Sequence, residues 1–439
     1  PLFWACGVTS SQAAAAAASV PLCITHSPGC MFVCDVTEDE VVRHSNSLEL
    51  SLASSLVPDN PLLGELQAAV GEMERLLAND PGQRGIAHLV QEGDLFAAAR
   101  TLYGADVVGI TTGFPCLYPD FSPPTETDGI LGTVLLTSTL LLLGKRVLVI
   151  TEDTNYTVVR EAVRHGVALL GTAAAGSEEN GMVRVVRYPM EGIDPGHLQS
   201  SLEQRVGGID CRDLRSVYPG GEEGGVVEAL ARLDALVAIE RSGRAADGRY
   251  YTMSGKDITP VVAPVDDLMA AMGAVRARAA RCGGGASDRL AMLAPGRLRT
   301  IGIGDGGNEL GMGKARESVV VHIPRGQQIA CDTAADYLIA AGTSDWGGDG
   351  LAAALALLAA ADHWLDPASM VLSYSQAASV LEVIVQNGAR DGITKQLAMS
   401  VDGMDFEKEH RAQMGLLRDI LETSIRMIQN RKAVCPTTA

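Results

Sequence analysis

The chain has 439 residues, 47% of them apolar but only 4% aromatic, and a formal net charge of −18. That length can bury one large core or two. The scarcity of aromatic rings argues against a base-stacking surface, and the acidity repels polyanions, so neither nucleic acid nor an anionic membrane is an expected partner.

The chain opens at Pro1 and runs directly into Leu2-Phe-Trp-Ala-Cys-Gly7, which reads as the interior of a folded domain; any targeting segment would lie upstream. Residues 1–45 are expected to be the tail of a truncated domain, with strand, turn and strand at 22–35, and His26 reads first as a turn residue. Nine cysteines without a C-x-x-C pair, four of them in this stretch, are expected to be reduced and mostly buried. Residues 46–60 are polar and Ser-rich, a linker, and 61–435 are expected to form one α/β domain.

From there helical and strand patterns alternate. Leu62 to Leu77 has helical spacing. Asp106 to Thr111 is a short apolar strand leading into Thr112-Gly113, and Ile130 to Leu143 is an apolar helix. Further strands are expected at Arg146–Ile150, Ala235–Ile239, Arg299–Gly302 and Tyr337–Ala340, each ending in polar residues. Residues 172–232 look looser, a flexible excursion or subdomain. Ser318 to Ile323 reads as another strand, and Leu351 to Ala361 as a buried helix. No apolar run reaches the ~20 residues of a membrane span. Five buried strands separated by helices predict an α/β fold: a mostly parallel sheet covered on both faces, with polar loops at the carboxyl ends of its strands.

In open parallel sheets ligands sit beyond those carboxyl ends. The first strand leads to Pro123-Pro-Thr-Glu-Thr-Asp-Gly129, where prolines and glycine hold Glu126 and Asp128 ahead of a helix; Thr127 or Asp128 could equally be a plain N-cap. Glu152 and Asp153 form a second acidic pair, again open to a capping role. Glu240-Arg-Ser-Gly-Arg244 places two arginines beside a carboxylate. Arginine's planar fork suits a substrate carboxylate or phosphate, although a structural Glu–Arg ion pair is the plainer alternative.

The densest signal is Gly302-Ile-Gly-Asp-Gly-Gly-Asn-Glu-Leu-Gly-Met-Gly313. Its backbone N–H groups suit an anion, whereas Asp305 and Glu309 would repel one, so a carboxylate or phosphate handled together with a cation is the consistent reading. Were Asn308 onward helical, Asp305 and Glu309 would share one face and, with Glu240 or Asp128 opposite, hold a hard divalent cation through oxygen. The formal G-x-G-x-x-G match is weak, and no acidic ribose ligand follows, so no nucleotide cofactor is expected. Thr343-Ser-Asp-Trp-Gly-Gly-Asp-Gly350 adds two carboxylates and small donors.

Taken together and in this order, Thr112-Gly-Phe114, Pro123 to Gly129, Glu240-Arg-Ser-Gly-Arg-Ala-Ala-Asp-Gly248, Gly302 to Gly313 and Thr343 to Gly347 resemble the carboxy-terminal domain of the D-glutamate cyclase family. Phe3 to Val8 and Ile24 to Gly29 resemble the end of its hydro-lyase-like amino-terminal domain. The resemblance implies cyclisation of D-glutamate to 5-oxo-D-proline with loss of water, in the mitochondrial matrix for animal members. It leaves the catalytic residues open. Our candidates are Glu126, Asp128, Glu240 and Arg241 for catalysis. For the substrate they are Thr112, Gly113, Arg244, Gly304, Gly306, Gly307, Asn308, Thr343 and Ser344; for Mg²⁺ or Mn²⁺ they are Asp305, Glu309 and Asp345. Expected partners are a small acidic amino acid and, in a homo-oligomer, further copies of the chain. The rival reading is a divalent-metal-dependent phosphatase acting on a small phosphorylated metabolite; a non-catalytic binding protein is the third class.

Overall fold

The computed structural model describes residues 61–171, 181–205, 225–281, 297–362 and 367–434. The expectations for the tail at 1–45, its strands and His26, and for the linker at 46–60 lie outside the described residues.

In chain order the main elements are α1 (Pro61–Leu77), α2 (Asp94–Gly104), β1 (Val107–Gly113), α3 (Ile130–Leu142), β2 (Arg146–Thr151), α4 (Asp153–Leu169) and β3 (Val183–Arg187). They continue with α5 (Pro195–Arg205), α6 (Val226–Leu230), β4 (Ala235–Arg241), α7 (Asp266–Arg281), β5 (Arg299–Gly304), α8 (Arg316–His322), α9 (Gly326–Ile329) and β6 (Tyr337–Ala340). The last are α10 (Ser344–Ala361), α11 (Tyr374–Gln386), the small hairpin β7 (Ser400–Val401) and β8 (Met404–Asp405), and α12 (Arg411–Val434).

Strands β1 to β6 form one parallel sheet in the order β3-β2-β1-β4-β5-β6. The α/β expectation is borne out. The direction of winding reverses between β1 and β4, the switch point at which such sheets open a crevice. Strands this apolar are buried on both faces. One face, with Val107, Leu148, Ile150, Leu236 and Ala238, packs against Leu198, Leu202, Leu268 and Met272 of α5 and α7. Against the other, a Cβ at Gly347 of α10 would run into Ile303, with Ile339 beside it. Helix α10 is buried from Ser344 to Ala360 on every side, as a central helix must be. It crosses α3 backbone to backbone: a Cβ on Gly348 would lie 2.7 Å from the Cα of Gly132. That crossing brings the first turns of the two helices together beside the switch point.

Two expectations need amendment, and a third calls for comment. Strand β3 lies inside the stretch read as loose, and its pairing with β2 extends the sheet by one strand. Of the segment 318–323 all but Ile323 is helical, within α8; its run of valines mimics a strand, but Val319 is buried while Val321 is 72% exposed, the one-sided burial of a helix. Residues 367–386 have a span's length and a mean hydropathy of 1.4. Yet the helix within them is only 13 residues, started by a Ser373–Gln376 capping box and buried along Ala377, Val380, Leu381 and Ile384.

Candidate active site

Three carboxylates meet at the switch point. Oxygens of Asp128, Glu240 and Asp305, delivered from the loop before α3, the end of β4 and the end of β5, all lie within 4.8 Å of one another. All three residues are buried.

Each is held by a different local device. Asp128 does not cap its own following helix, whose N-cap is Gly129. Its Oδ1 instead accepts from the Asp345 N–H at 2.8 Å and its Oδ2 from the Ser344 N–H at 2.9 Å, at the start of α10. Asp345 returns the arrangement, its Oδ1 accepting from the Gly132 N–H in the first turn of α3 at 2.7 Å. Both helix N-termini therefore direct their dipoles at carboxylates. Glu240 sits where the pairing of β1 with β4 slips, with φ 42°, a left-handed backbone that few non-glycine residues adopt. Its Oε2 accepts from the Ser344 hydroxyl at 2.6 Å. Gly129 must be glycine twice over: its φ is 80°, and a Cβ there would fall on that of Glu240.

Asp305 pairs with Arg84, whose Nη2 lies 2.9 Å from Asp305 Oδ2, 3.0 Å from Asp402 Oδ2 and 2.6 Å from the Gly342 carbonyl oxygen. Arg84 and Asp402 were missed by sequence reasoning. Arg84 follows a turn in which Asp80 accepts from the N–H groups of Arg84, Gly85 and Ile86. Asp402, φ 53°, and Gly403, φ 76°, form the two-residue loop of the β7–β8 hairpin. The Asp-Gly dipeptide could have signalled that hairpin, though not where its aspartate would point.

Crowding sets the protonation pattern. Burial raises Glu126, reinforced by Asp402 and Asp128, and burial raises Glu240, reinforced by Glu309 and Asp128. Burial and then Asp402 push Asp128 up to about 7 despite its backbone donors. Burial likewise raises Asp345, with Asp128 beside it. For Asp305 burial outweighs Arg84 and keeps the acid high, whereas at Asp402 burial, the largest single effect, is overcome by Arg84 together with a hydrogen bond to Asp305 and the charge of His410, which hold the group below the usual carboxylate range. So dense a cluster of acids retains protons or takes up a cation.

Other candidates have different roles from those their residue types suggested. No helix starts at Asn308; the next helical turn is Gly313–Ala315. Glu309 folds back instead, Oε1 accepting from the N–H groups of Asp305 at 3.2 Å and Gly306 at 2.7 Å, and Oε2 from Gly307 at 2.6 Å. The chain's own carboxylate thus occupies the anion-binding loop, and Glu309 does not share a helix face with Asp305. The glycines make room for it, since a Cβ at Gly304 would lie 2.9 Å from Glu309 Cδ. The loop also follows β5, whereas dinucleotide-binding sheets carry theirs after the first strand.

Arg241 is fully buried, ion-paired with Glu152, and donates from Nη2 to the Ala263 carbonyl at 2.8 Å. Its fork is committed to the protein and not presented to a substrate carboxylate. The chain of contacts continues from Glu152 to Asn155 and, at 2.5 Å, to Thr125. Asn155 packs where a Cβ on Gly113, φ 104°, would stand. Arg244 pairs with Asp267 at 2.8 Å. Thr343 is the N-cap of α10, with its side chain accepting from Trp346 N–H. Asn308 Nδ2 donates to the Tyr251 carbonyl at 2.8 Å, leaving its Oδ1 without a partner; the buried hydroxyls of Thr112 and Ser242 are also unpartnered among the described residues.

The family profile described as D-glutamate cyclase-like, C-terminal, matches residues 73–418, and that of D-glutamate cyclase matches 1–35. The chain is 30% identical over 446 aligned positions to the human protein named D-glutamate cyclase, mitochondrial, covering 97% of this chain and 64% of that relative. A hydro-lyase-like protein of Ruegeria pomeroyi is 62% identical over 42 residues, 10% of this chain and 15% of that protein.

Proposed function

This chain belongs to the D-glutamate cyclase-like family, and from that footing we propose that it closes D-glutamate to 5-oxo-D-proline and water with the aid of a divalent cation. The observation that carries the reading is the meeting of Asp128, Glu240 and Asp305 at the switch point. An octahedral Mg²⁺ or Mn²⁺ with oxygens at about 2.1 Å places them up to roughly 4.2 Å apart, within the spread of these three side chains. Carboxylates alone form a hard donor set, which suits those ions. D-Glutamate brings two carboxylates of its own, and the guanidinium of Arg84 is already divided between Asp305 and Asp402.

When bound, the cation would neutralise the cluster and draw charge from the oxygens of the γ-carboxyl group. The α-ammonium nitrogen must shed two protons in all, form the C–N bond to the γ-carbon, and see a C–O bond break as the oxygen takes up two protons and leaves as water. Glu240 or Asp128 would take the ammonium proton, Asp128 being poised near neutrality. Carboxyl groups of the same cluster would take the second nitrogen proton once the C–N bond has formed and return both protons to the departing oxygen. Holding the substrate folded supplies much of the acceleration, because the step is intramolecular.

Incubation with D- and L-glutamate in the presence of Mn²⁺ or Mg²⁺, scored by 5-oxoproline, tests the reading; absence of D-selective product would overturn it. The same three carboxylates would serve a metal-dependent phosphatase equally well. Hydrolysis of small phosphate esters that stops on chelation, with no 5-oxoproline formed, would reverse the ranking. The word mitochondrial in the human relative's name supports a mitochondrial location, within which we propose the matrix; fractionation of the source cells would test it.

A further inference from the structure

Away from the acidic cluster, a cavity of about 370 Å³ opens between α10, the turn before α11, and α12. Its walls are largely apolar, formed by Ala353, Val371, Met414, Leu417 and Leu421. Four charged side chains also line it, and three of them are paired. Arg418 donates to the carbonyl oxygens of Ala368 at 3.0 Å, Val371 at 3.1 Å and Leu372 at 2.7 Å. Arg411 pairs with Glu407 at 2.5 Å and lies over the Tyr374 ring at 5.0 Å, while Glu422 pairs with Arg426 at 3.8 Å. The exception is Asp349. It is only 4% exposed and feels the charge of Arg418, yet its Oδ1 has no hydrogen-bond partner among the described residues.

A buried acceptor without a donor is destabilising and persists where something else satisfies it. The volume lies in the range of small-molecule sites, which combine apolar walls with a few polar anchors. Because the open valence is an acceptor, and the neighbouring guanidiniums are spent on carbonyls and a carboxylate, the missing group is a donor. We propose that this cavity is a second binding site, taking a primary amine with an apolar body whose ammonium group donates to Asp349 and whose hydrocarbon lies against Met414, Leu417 and Leu421. The site stands on the second and third turns of α10, and it is independent of the chemistry at the switch point.

The test is calorimetric titration of the whole chain with 2-phenylethylamine, the uncharged 2-phenylethanol and the anionic phenylacetate. We expect saturable binding of the amine at least tenfold tighter than of the alcohol, and none of the acid. Asp349→Asn should weaken the amine at least tenfold while leaving the melting temperature at pH 8 undiminished, since it removes a buried acid and keeps the shape. Ala353→Met, which narrows the cavity without touching the charge, should weaken amine and alcohol alike. The proposal is overturned if the amine fails to saturate, if the alcohol binds as tightly, or if Asp349→Asn retains full amine affinity.

Discussion

Asp128 and Asp345 cap each other's helices: Asp128 takes the N–H groups of Ser344 and Asp345 that begin α10, and Asp345 takes the Gly132 N–H that begins α3. This exchange fixes the first turns of two buried helices against each other and orients Asp128 beside Glu240 and Asp305. The two aspartates are nevertheless not equivalent. Both oxygens of Asp128 accept from the partner helix, whereas Asp345 Oδ2 has no partner among the described residues. Asp128→Asn would set an amide donor against a backbone donor, at a cost of about 1–3 kcal/mol. Asp345→Asn can keep its accepting oxygen and should cost less than 1 kcal/mol. Denaturant melts of the two variants compare these values directly, and equal losses would contradict the asymmetry.

In the glycine loop, charge and architecture belong to different acids. Asp305→Asn should weaken divalent-cation binding by at least tenfold, about 1.4 kcal/mol, and abolish turnover while the fold survives. Glu309→Gln should fail as a fold, because one of its oxygens would become a donor facing buried N–H groups, with a loss of roughly 2 kcal/mol. Calorimetry with Mn²⁺ beside a thermal melt separates the two behaviours. An Asp305→Asn protein with unaltered metal affinity would remove Asp305 from the cation site.

The Arg241–Glu152 pair is buried on both sides. Arg241→Met leaves a carboxylate in the core without its counter-ion and should cost about 3–5 kcal/mol. Replacing both, as Arg241→Met with Glu152→Leu, removes the stranded charge and should cost less than the single change. A double-mutant cycle measured by urea denaturation reports the coupling, which we expect to be strongly positive; additive losses would return Arg241 to the list of substrate ligands.

Asp349 gives a pH dependence with a definite sign. Burial pushes it up to about 7, against an ordinary value of 3.8. Between those pH values the folded chain holds a proton that the unfolded chain has released, so this residue makes stability fall as pH rises from about 4 to about 7 and level off above. The ceiling on its share is roughly 4 kcal/mol. Asp349→Asn should therefore gain stability relative to the parent as pH rises across that window. Melting temperatures taken at pH 5 and pH 8 provide the readout, and a parent-to-variant difference that does not change with pH would refute it.

What the sequence determined by itself was the order of alternating strands and helices and the ends of those strands where polar residues collect. Apolar runs of five to seven residues that stop at Thr112-Gly113, Glu240-Arg241 or Gly304-Asp305 are local signals, because a strand buried on both faces must be apolar and its exit must turn. The acidity of the site was equally plain in Asp128, Glu240 and Asp305. Partnership was not legible, since a carboxylate looks the same in sequence whether it meets a cation, a helix terminus or an arginine. Only the tertiary structure paired Glu309 with the loop's own N–H groups, Arg241 with Glu152, and Asp128 with a helix more than 200 positions away. It alone brought in Arg84 and Asp402, which join the site from turns with no strand pattern to mark them. Strand β3, whose two arginines lie among three valines, could be recognised only from the neighbour whose edge it completes.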